Sequence, residues 1–204
     1  MDWVLLELRN SATPATVVAR RAALIRRDGR IVDLDGTSDV SWRNAPNGNY
    51  FLAMRHRNHL GIRSTGTMIV DGTLGAAVPP TYDYTTSQAM AFQDPAVLAL
   101  PVPNNNAAMK DYNAGTLFAM WGGNGNANTT TRASGGGTVN DVTFLIATVL
   151  GNNPALILNN VYSRGDYNMD GVARASGGGS VNDGTYLVAT VLGNNPGKII
   201  TQHQ

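Results

Sequence analysis

The sequence predicts a mainly β protein in two parts. Residues 1–108 read as an antiparallel, Ig-like β-sandwich, and residues 109–204 as a small α-helical pair in which each helix follows an oxygen-rich loop. Three observations lead there. The first 70 residues alternate apolar and polar side chains in short runs separated by turn signals. Arg132–Pro154 and Arg174–Pro196 align without gaps at an offset of forty-two residues, with 19 of 23 positions identical. Asp166, Asn168 and Asp170 place an oxygen-bearing side chain at every second position, with Gly171 following the third.

Asp2–Arg9 opens the chain as a strand, with Val4, Leu6 and Leu8 on one side. Thr16–Arg27 continues as an apolar and arginine-rich run, and Asp28-Gly29 turns it into Ile31–Leu34, a hairpin signal. Asn47-Gly48 marks the next turn, leading into Tyr50, Leu52 and Met54 on one face and Phe51, Ala53 and Arg55 on the other. Several such strands suggest a sandwich. Over 71–120 the prolines Pro79, Pro80, Pro95, Pro101 and Pro103 interrupt regular structure. That stretch reads as connection plus edge strands, with short strands at Ala96–Leu100 and, just before it, Thr67–Val70. In each repeat (121–154 and 164–196) a glycine-rich loop precedes a helix. The first helix has Asn140-Asp141 as cap and first turn, Phe144, Leu145, Ile146 and Val149 as its apolar stripe, and Gly151 as its stop. The second repeats this with Asn182-Asp183, Tyr186, Leu187, Val191 and Gly193. Ten-residue helices are marginal alone, so the two are expected to pack on each other.

Composition narrows the function. Net charge is +1 and only 14% of residues are charged, which speaks against a nucleic-acid partner. Glu7 is the sole glutamate, and Lys110 and Lys198 are the sole lysines. Gly, Asn, Thr and Ala are abundant instead, as in turn-rich extracellular β proteins. The absence of cysteine removes disulfides, thiolate metal sites and thiol catalysis. No apolar run approaches the roughly 20 residues of a membrane span. Met1 leads directly into Asp2–Leu5 without a signal-peptide pattern, so an exported chain is expected to be a mature or excised piece.

The second loop is the strongest candidate site. Asp166, Asn168 and Asp170 supply three side-chain oxygens, and Val172 its backbone carbonyl. An EF-hand loop closes with a carboxylate near position twelve, which here is Gly177; the closing role is assigned to Asp183, displaced by the Ala175–Gly179 insertion. Three carboxylates around one point favour a hard divalent cation, calcium. The first loop is weaker: Asn124, Asn126 and Asn128 take the ligand positions, Asp141 matches Asp183, and Thr129 replaces the glycine. Asn128-Thr129-Thr130 is also a glycosylation sequon.

Other clusters read as structural. His56 and His59 lie three apart, and on one strand they would face opposite ways, so no shared ion is expected. His203 lies in a tail. Asp33, Asp35 and Asp39 read as turn and cap residues. Arg20, Arg21, Arg26, Arg27 and Arg30 read as a solvated face paired with Asp28 and Asp33. No nucleophile elbow, phosphate loop or HExxH motif occurs, so no enzymatic activity is expected.

The segments Asp2–Arg9, Ala19–Leu24 through Asp28-Gly29, and Arg55–Gly61, followed by Gly-Asp-x-Asn-x-Asp-Gly and Asn-Asp before a helix, resemble a known arrangement. It is the C-terminal module of Bacteroidota-type secreted and cell-surface proteins, adhesin- or haemagglutinin-like, with dockerin-like calcium-binding repeats. The resemblance implies an extracellular or cell-surface setting and calcium, without implying catalysis. The blunted first loop departs from the pattern.

The expectation is therefore a non-enzymatic extracellular structural protein, a calcium-stabilised subunit of a surface fibre or an adhesin module. Self-association into a head-to-tail homopolymer is one expected partnership, with Lys198–Thr201 adding to a neighbour's sheet edge. Another cell-surface protein is the other. The alternative is a binding module, docking a protein through the repeats or a carbohydrate through Trp3, Trp42 or Trp121.

Overall fold

The computed structural model describes residues 1–42, 45–71 and 81–204. The protein is mainly antiparallel β. Its centre is a curled five-stranded sheet made of β1 (Asp2–Asn10), β2 (Val17–Ile25), β3 (Ile31–Val32), β4 (Gly48–His56) and β5 (His59–Val70), in the order β3-β2-β1-β4-β5. The Asp28-Gly29 turn forms where expected, with Gly29 at φ +84°, a left-handed conformation that glycine adopts without steric cost. Arg57-Asn58 makes a second two-residue turn, joining β4 to β5 with His56 opposite His59.

Alternation decides which face is buried. Val4, Leu6, Ala23, Met54 and Ile62 point to one side, and Tyr84, Ala91, Ala108, Met109 and Phe118 pack over them. Those covering residues lie largely outside long strands. A 3-10 turn at Tyr84–Thr86, the helix α1 (Pro95–Leu98) and the ribbon β6 (Lys110–Asp111) with β7 (Phe118–Ala119) belong to this layer. Where an Ig-like sandwich would place a second sheet, the described residues place this irregular layer. The strand expected at 96–100 is helical because Asp94 caps Ala96 N–H and Pro95 occupies the first turn, where its missing donor costs nothing. Met109 and Phe118 belong to the sheet's core although they follow residue 108.

The opposite face of the sheet carries Glu7, 2% exposed, within reach of three guanidinium groups. Arg9 Nη2 approaches Glu7 Oε2 at 2.5 Å, Arg20 Nε lies 3.0 Å from Oε1, and Arg55 Nε lies 3.3 Å from Oε2. Burial alone would raise the Glu7 pKa; hydrogen bonds from Arg20 and Arg9, together with the Arg55 charge, outweigh it and hold it below the usual carboxylate value. Glu7→Gln is expected to cost about 3 kcal/mol, because buried Arg9 loses its counter-charge. Chemical denaturation at pH 7 measures this.

The repeats form a second core. Segment β8 (Thr130–Arg132) leads to α2 (Asp141–Phe144), which runs on as a π-helical turn over Leu145–Val149. After β9 (Ile157–Asn159), the second copy supplies β10 (Val172–Arg174), α3 (Asp183–Tyr186) and a π-helical turn over Leu187–Val191. Asn140 and Asn182 cap the helices through their side chains, as predicted. Leu145, Leu150, Leu187, Leu192, Tyr167 and Leu60 of β5 share this core. Leu145 and Leu187 are fully buried, and either Leu→Ala change is expected to cost about 2–5 kcal/mol in a melting experiment.

The tail is not free. Segment β11 (Ile199–Thr201) pairs antiparallel with β8 of the same chain. Two more of its N–H groups bond side chains: Ile199 N donates to Asn104 Oδ1 and Thr201 N to Asn106 Oδ1, both at 2.8 Å. The edge expected to join a neighbour is thus used internally. His203, read as an uninformative tail residue, is 2% exposed and accepts from Asp94 N at 2.8 Å. No described helix is long and apolar enough to cross a membrane.

Candidate metal centre

The second loop folds around its own oxygens. Asp166, 1% exposed, accepts from Asp170 N through Oδ1 and from Gly171 N through Oδ2, each at 3.1 Å. Asn168 Oδ1 also accepts from Asp170 N at 3.1 Å, and Asp170 Oδ1 accepts from Val172 N at 2.8 Å. Met169 at φ +61° and Gly171 at φ +83° make the bend that this ladder needs. Val172 starts β10 opposite Asn159.

Asp183, remote in sequence, closes the loop from below. It is fully buried at the start of α3. Its Oδ1 accepts from Tyr167 N at 2.7 Å and Asn168 N at 3.4 Å, and its Oδ2 accepts from Arg174 N at 2.9 Å. Residues 177–181, from the usual closing position onward, are exposed, and Asn182 Nδ2 ties the segment down through Ala175 O and Gly177 O at 2.8 and 3.2 Å. Helix capping and insertion anchoring therefore fall to one side chain.

Electrostatics make this pocket costly as it stands. Burial raises the Asp183 pKa to about 6 against the three backbone N–H groups, and the Asp166 charge adds to the shift. Burial raises Asp166 as well, with Asp170 reinforcing it and Arg57 opposing it. Arg57 Nη2 lies 3.6 Å from Asp166 Oδ2, and it is the single ion-pair partner of a second-loop carboxylate among the described residues.

The donor set suits a hard cation: three carboxylates, one amide and main-chain carbonyls, with neither nitrogen nor sulfur ligands. Among the described residues no three His, Asp or Glu side chains already stand together at metal-holding spacing. Coordination would therefore draw on the amide and main-chain oxygens too. Asn168 Nδ2 bridges Asp170 Oδ2 and Ser180 O, both at 3.0 Å.

The first loop keeps the shape with other chemistry. Asp141, fully buried, accepts from Gly125 N at 3.0 Å, Asn126 N at 3.4 Å and Arg132 N at 2.9 Å, and burial raises its pKa to about 7. Asn126 Oδ1 accepts from Asn128 N, and Asn128 Oδ1 from Thr130 N, repeating the second loop's ladder. The difference sits at Asn124, whose Nδ2 donates to Asn128 O at 2.7 Å while its buried Oδ1 has no partner. That orphaned acceptor suits a cation or a water, but one carboxylate gives little charge to offset dehydration of an ion.

Sequence reasoning missed the residues that join the two loops. Asn58, fully buried at the β4–β5 turn, donates from Nδ2 to Asp166 O at 2.5 Å, and its own carbonyl accepts from Asn124 N at 3.0 Å. One residue thus touches the first ligand position of both copies, the second through its side chain and the first through its backbone carbonyl. Tyr167 stands in the second repeat where Gly125 stands in the first; its hydroxyl donates to Asp141 O at 2.8 Å, and a Cβ on Gly125 would overlap it. The alignment could have signalled this, since a tyrosine facing a glycine across a pseudo-repeat implies one filling the other's space.

The histidine expectation is corrected. His56 and His59 lie on two strands across a tight turn and meet as a cross-strand pair, Nδ1 to Nδ1 at 2.8 Å. Burial lowers both pKa values, His59 to about 3. With His56 Nε2 3.1 Å from Asp2 Oδ2, the pair acts as a neutral hydrogen-bonded wedge. The acidic residues behave as read: Asp33 pairs with Arg21, Asp39 with Arg30, and Asp35 caps Thr37 and Ser38.

No protein-family model matches this chain, and neither does any curated protein or solved structure.

Proposed function

We propose that the chain is a non-enzymatic, extracellular structural module whose dockerin-like helix pair is clamped by calcium in the second loop. The carrying observation is that Asp166 and Asp183, both nearly or fully buried, share one loop with Asp170, and that among the described residues Arg57 alone forms an ion pair with any of the three. Asp166, Asn168, Asp170, the Val172 carbonyl and Asp183 would hold the ion; Asn124, Asn126, Asn128 and Asp141 form a weaker second site. Calcium would supply charge neutralisation, and the chain's own residues orient the oxygens and exclude water. The sheet with its covering layer is read as the sandwich-like part, and the resemblance of its motifs to surface adhesin modules suggests the setting. Such a module would serve as an adhesin unit or fibre subunit, contacting like copies or another surface protein. Because β11 is paired internally, growth through the tail would first require breaking the β8–β11 pairing. Electron microscopy of concentrated protein with calcium tests the fibre form; dispersed monomers alone would refute it.

The exposure of Trp3, at 51%, favours a second reading, binding of a carbohydrate on the sheet's open face. Trp42 and Trp121 pack against the cores instead. Glycan-array binding lost in Trp3→Ala supports that reading, and unchanged binding or none removes it.

A further inference from the structure

Arg57 sits in the β4–β5 turn, and its guanidinium reaches both β1 and the second loop. Nε lies 3.3 Å from Asp2 Oδ2, Nη1 donates to Ser163 O, and Nη2 stands 3.6 Å from Asp166 Oδ2. The Tyr162 ring packs against it at 4.4 Å, and the Tyr162 hydroxyl donates to Asp2 Oδ1 at 2.5 Å. The side chain is 11% exposed. A nearly buried cation is therefore shared between an acid of β1 and the first carboxylate of the second loop. The 3.6 Å separation is too long for a hydrogen bond but close enough for strong attraction in a partly desolvated setting.

We infer that Arg57 is the second loop's internal counter-cation: it neutralises Asp166 when no metal is bound, and an arriving divalent ion drives it toward Asp2. The inference rests on the calcium proposal above. Two positive charges compete for one carboxylate, so Arg57 lowers the loop's calcium affinity while holding the loop closed without metal. Asp2 is the alternative seat for the displaced charge, and it ties the loop's occupancy to β1 and hence to the sheet. Asn58 beside it, bonded to both loops, passes the same movement to the first repeat.

The test is calorimetric titration of calcium chloride into the full chain after chelator treatment, with melting curves in chelator and in calcium. Arg57→Gln is expected to bind calcium roughly threefold to tenfold more tightly, and to lose more melting temperature in chelator than in calcium. Asp2→Asn is expected to bind more weakly, an effect that shrinks in the Arg57→Gln background. Unchanged affinity in Arg57→Gln, with equal melting losses in both conditions, would make Arg57 a structural anchor only and overturn the inference. Absence of calcium binding by the wild type would instead remove the calcium proposal and this one with it. Should Arg57→Gln not fold, Asp2→Asn decides by sign: weaker binding supports the inference, and unchanged or tighter binding overturns it.

Discussion

Asp183→Ala is expected to destabilise the fold severely. It removes an acceptor from Tyr167 N and Arg174 N, in a site that is itself fully buried. Each buried donor left unpaired costs about 1–3 kcal/mol, so the two together cost about 4 kcal/mol even before any ion is considered. At roughly 2–4 °C per kcal/mol for a chain of this size, the melting temperature should fall by about 10 °C in chelator. In calcium the fall should be larger still, since the closing ligand is lost. Asp183→Asn keeps one acceptor oxygen and should fall between wild type and alanine. Equal melting curves for wild type and Asp183→Ala would refute the place given to this carboxylate in the fold.

The second large effect is a pH dependence of the stabilisation that calcium gives. In the folded chain Asp183 and Asp141 have pKa values of about 6 and about 7, raised by burial. In the unfolded chain both return to about 4. Between these limits the folded state holds protons on both carboxylates that the unfolded state has released, so their contribution to stability in chelator falls from about pH 4 to about pH 7, while the buried histidines His56, His59 and His203, whose pKa values are lowered, contribute in the opposite sense up to their unfolded value. Calcium binds the deprotonated carboxylates, so its contribution rises through the same window. At 100 times its dissociation constant it adds about 2.7 kcal/mol. Melting curves across pH 4–8, with calcium and with chelator, should diverge as pH rises. Parallel curves would contradict the electrostatics derived for both loops.

Local chemistry was legible in the sequence, and long-range meeting was not. The Asp28-Gly29 turn, the Asn140 and Asn182 caps and the alternation of β1 and β4 depend on neighbours a few residues away, and the structure has them as read. The place of Asp183 at a helix start, beyond the glycine-rich insertion, is legible in the sequence, and the structure puts its carboxylate on Tyr167 N. The strand expected at 96–100 gave way to a helix because Asp94-Pro95 is a stronger start signal than the apolar run that follows it. The His56–His59 pair was misread because three-residue spacing means opposite faces within a strand but adjacency across a two-residue turn. Pairing of β11 with β8, burial of His203 and the reach of Arg57 to Asp2 and Asp166 join residues roughly 55 to 110 positions apart. Periodicity carries no information about such contacts, since it reports which face is buried and not what buries it.

The most direct measurement of the central claim is the calcium titration of chelator-treated wild type beside Asp170→Ala. The chosen residue is the exposed carboxylate of the loop, so its loss disturbs the fold less than that of Asp166 or Asp183. Saturable binding by the wild type, accompanied by a higher melting temperature and abolished or strongly weakened in Asp170→Ala, is the predicted result. A wild-type chain that takes up no calcium, and melts at the same temperature in calcium and in chelator, would contradict it.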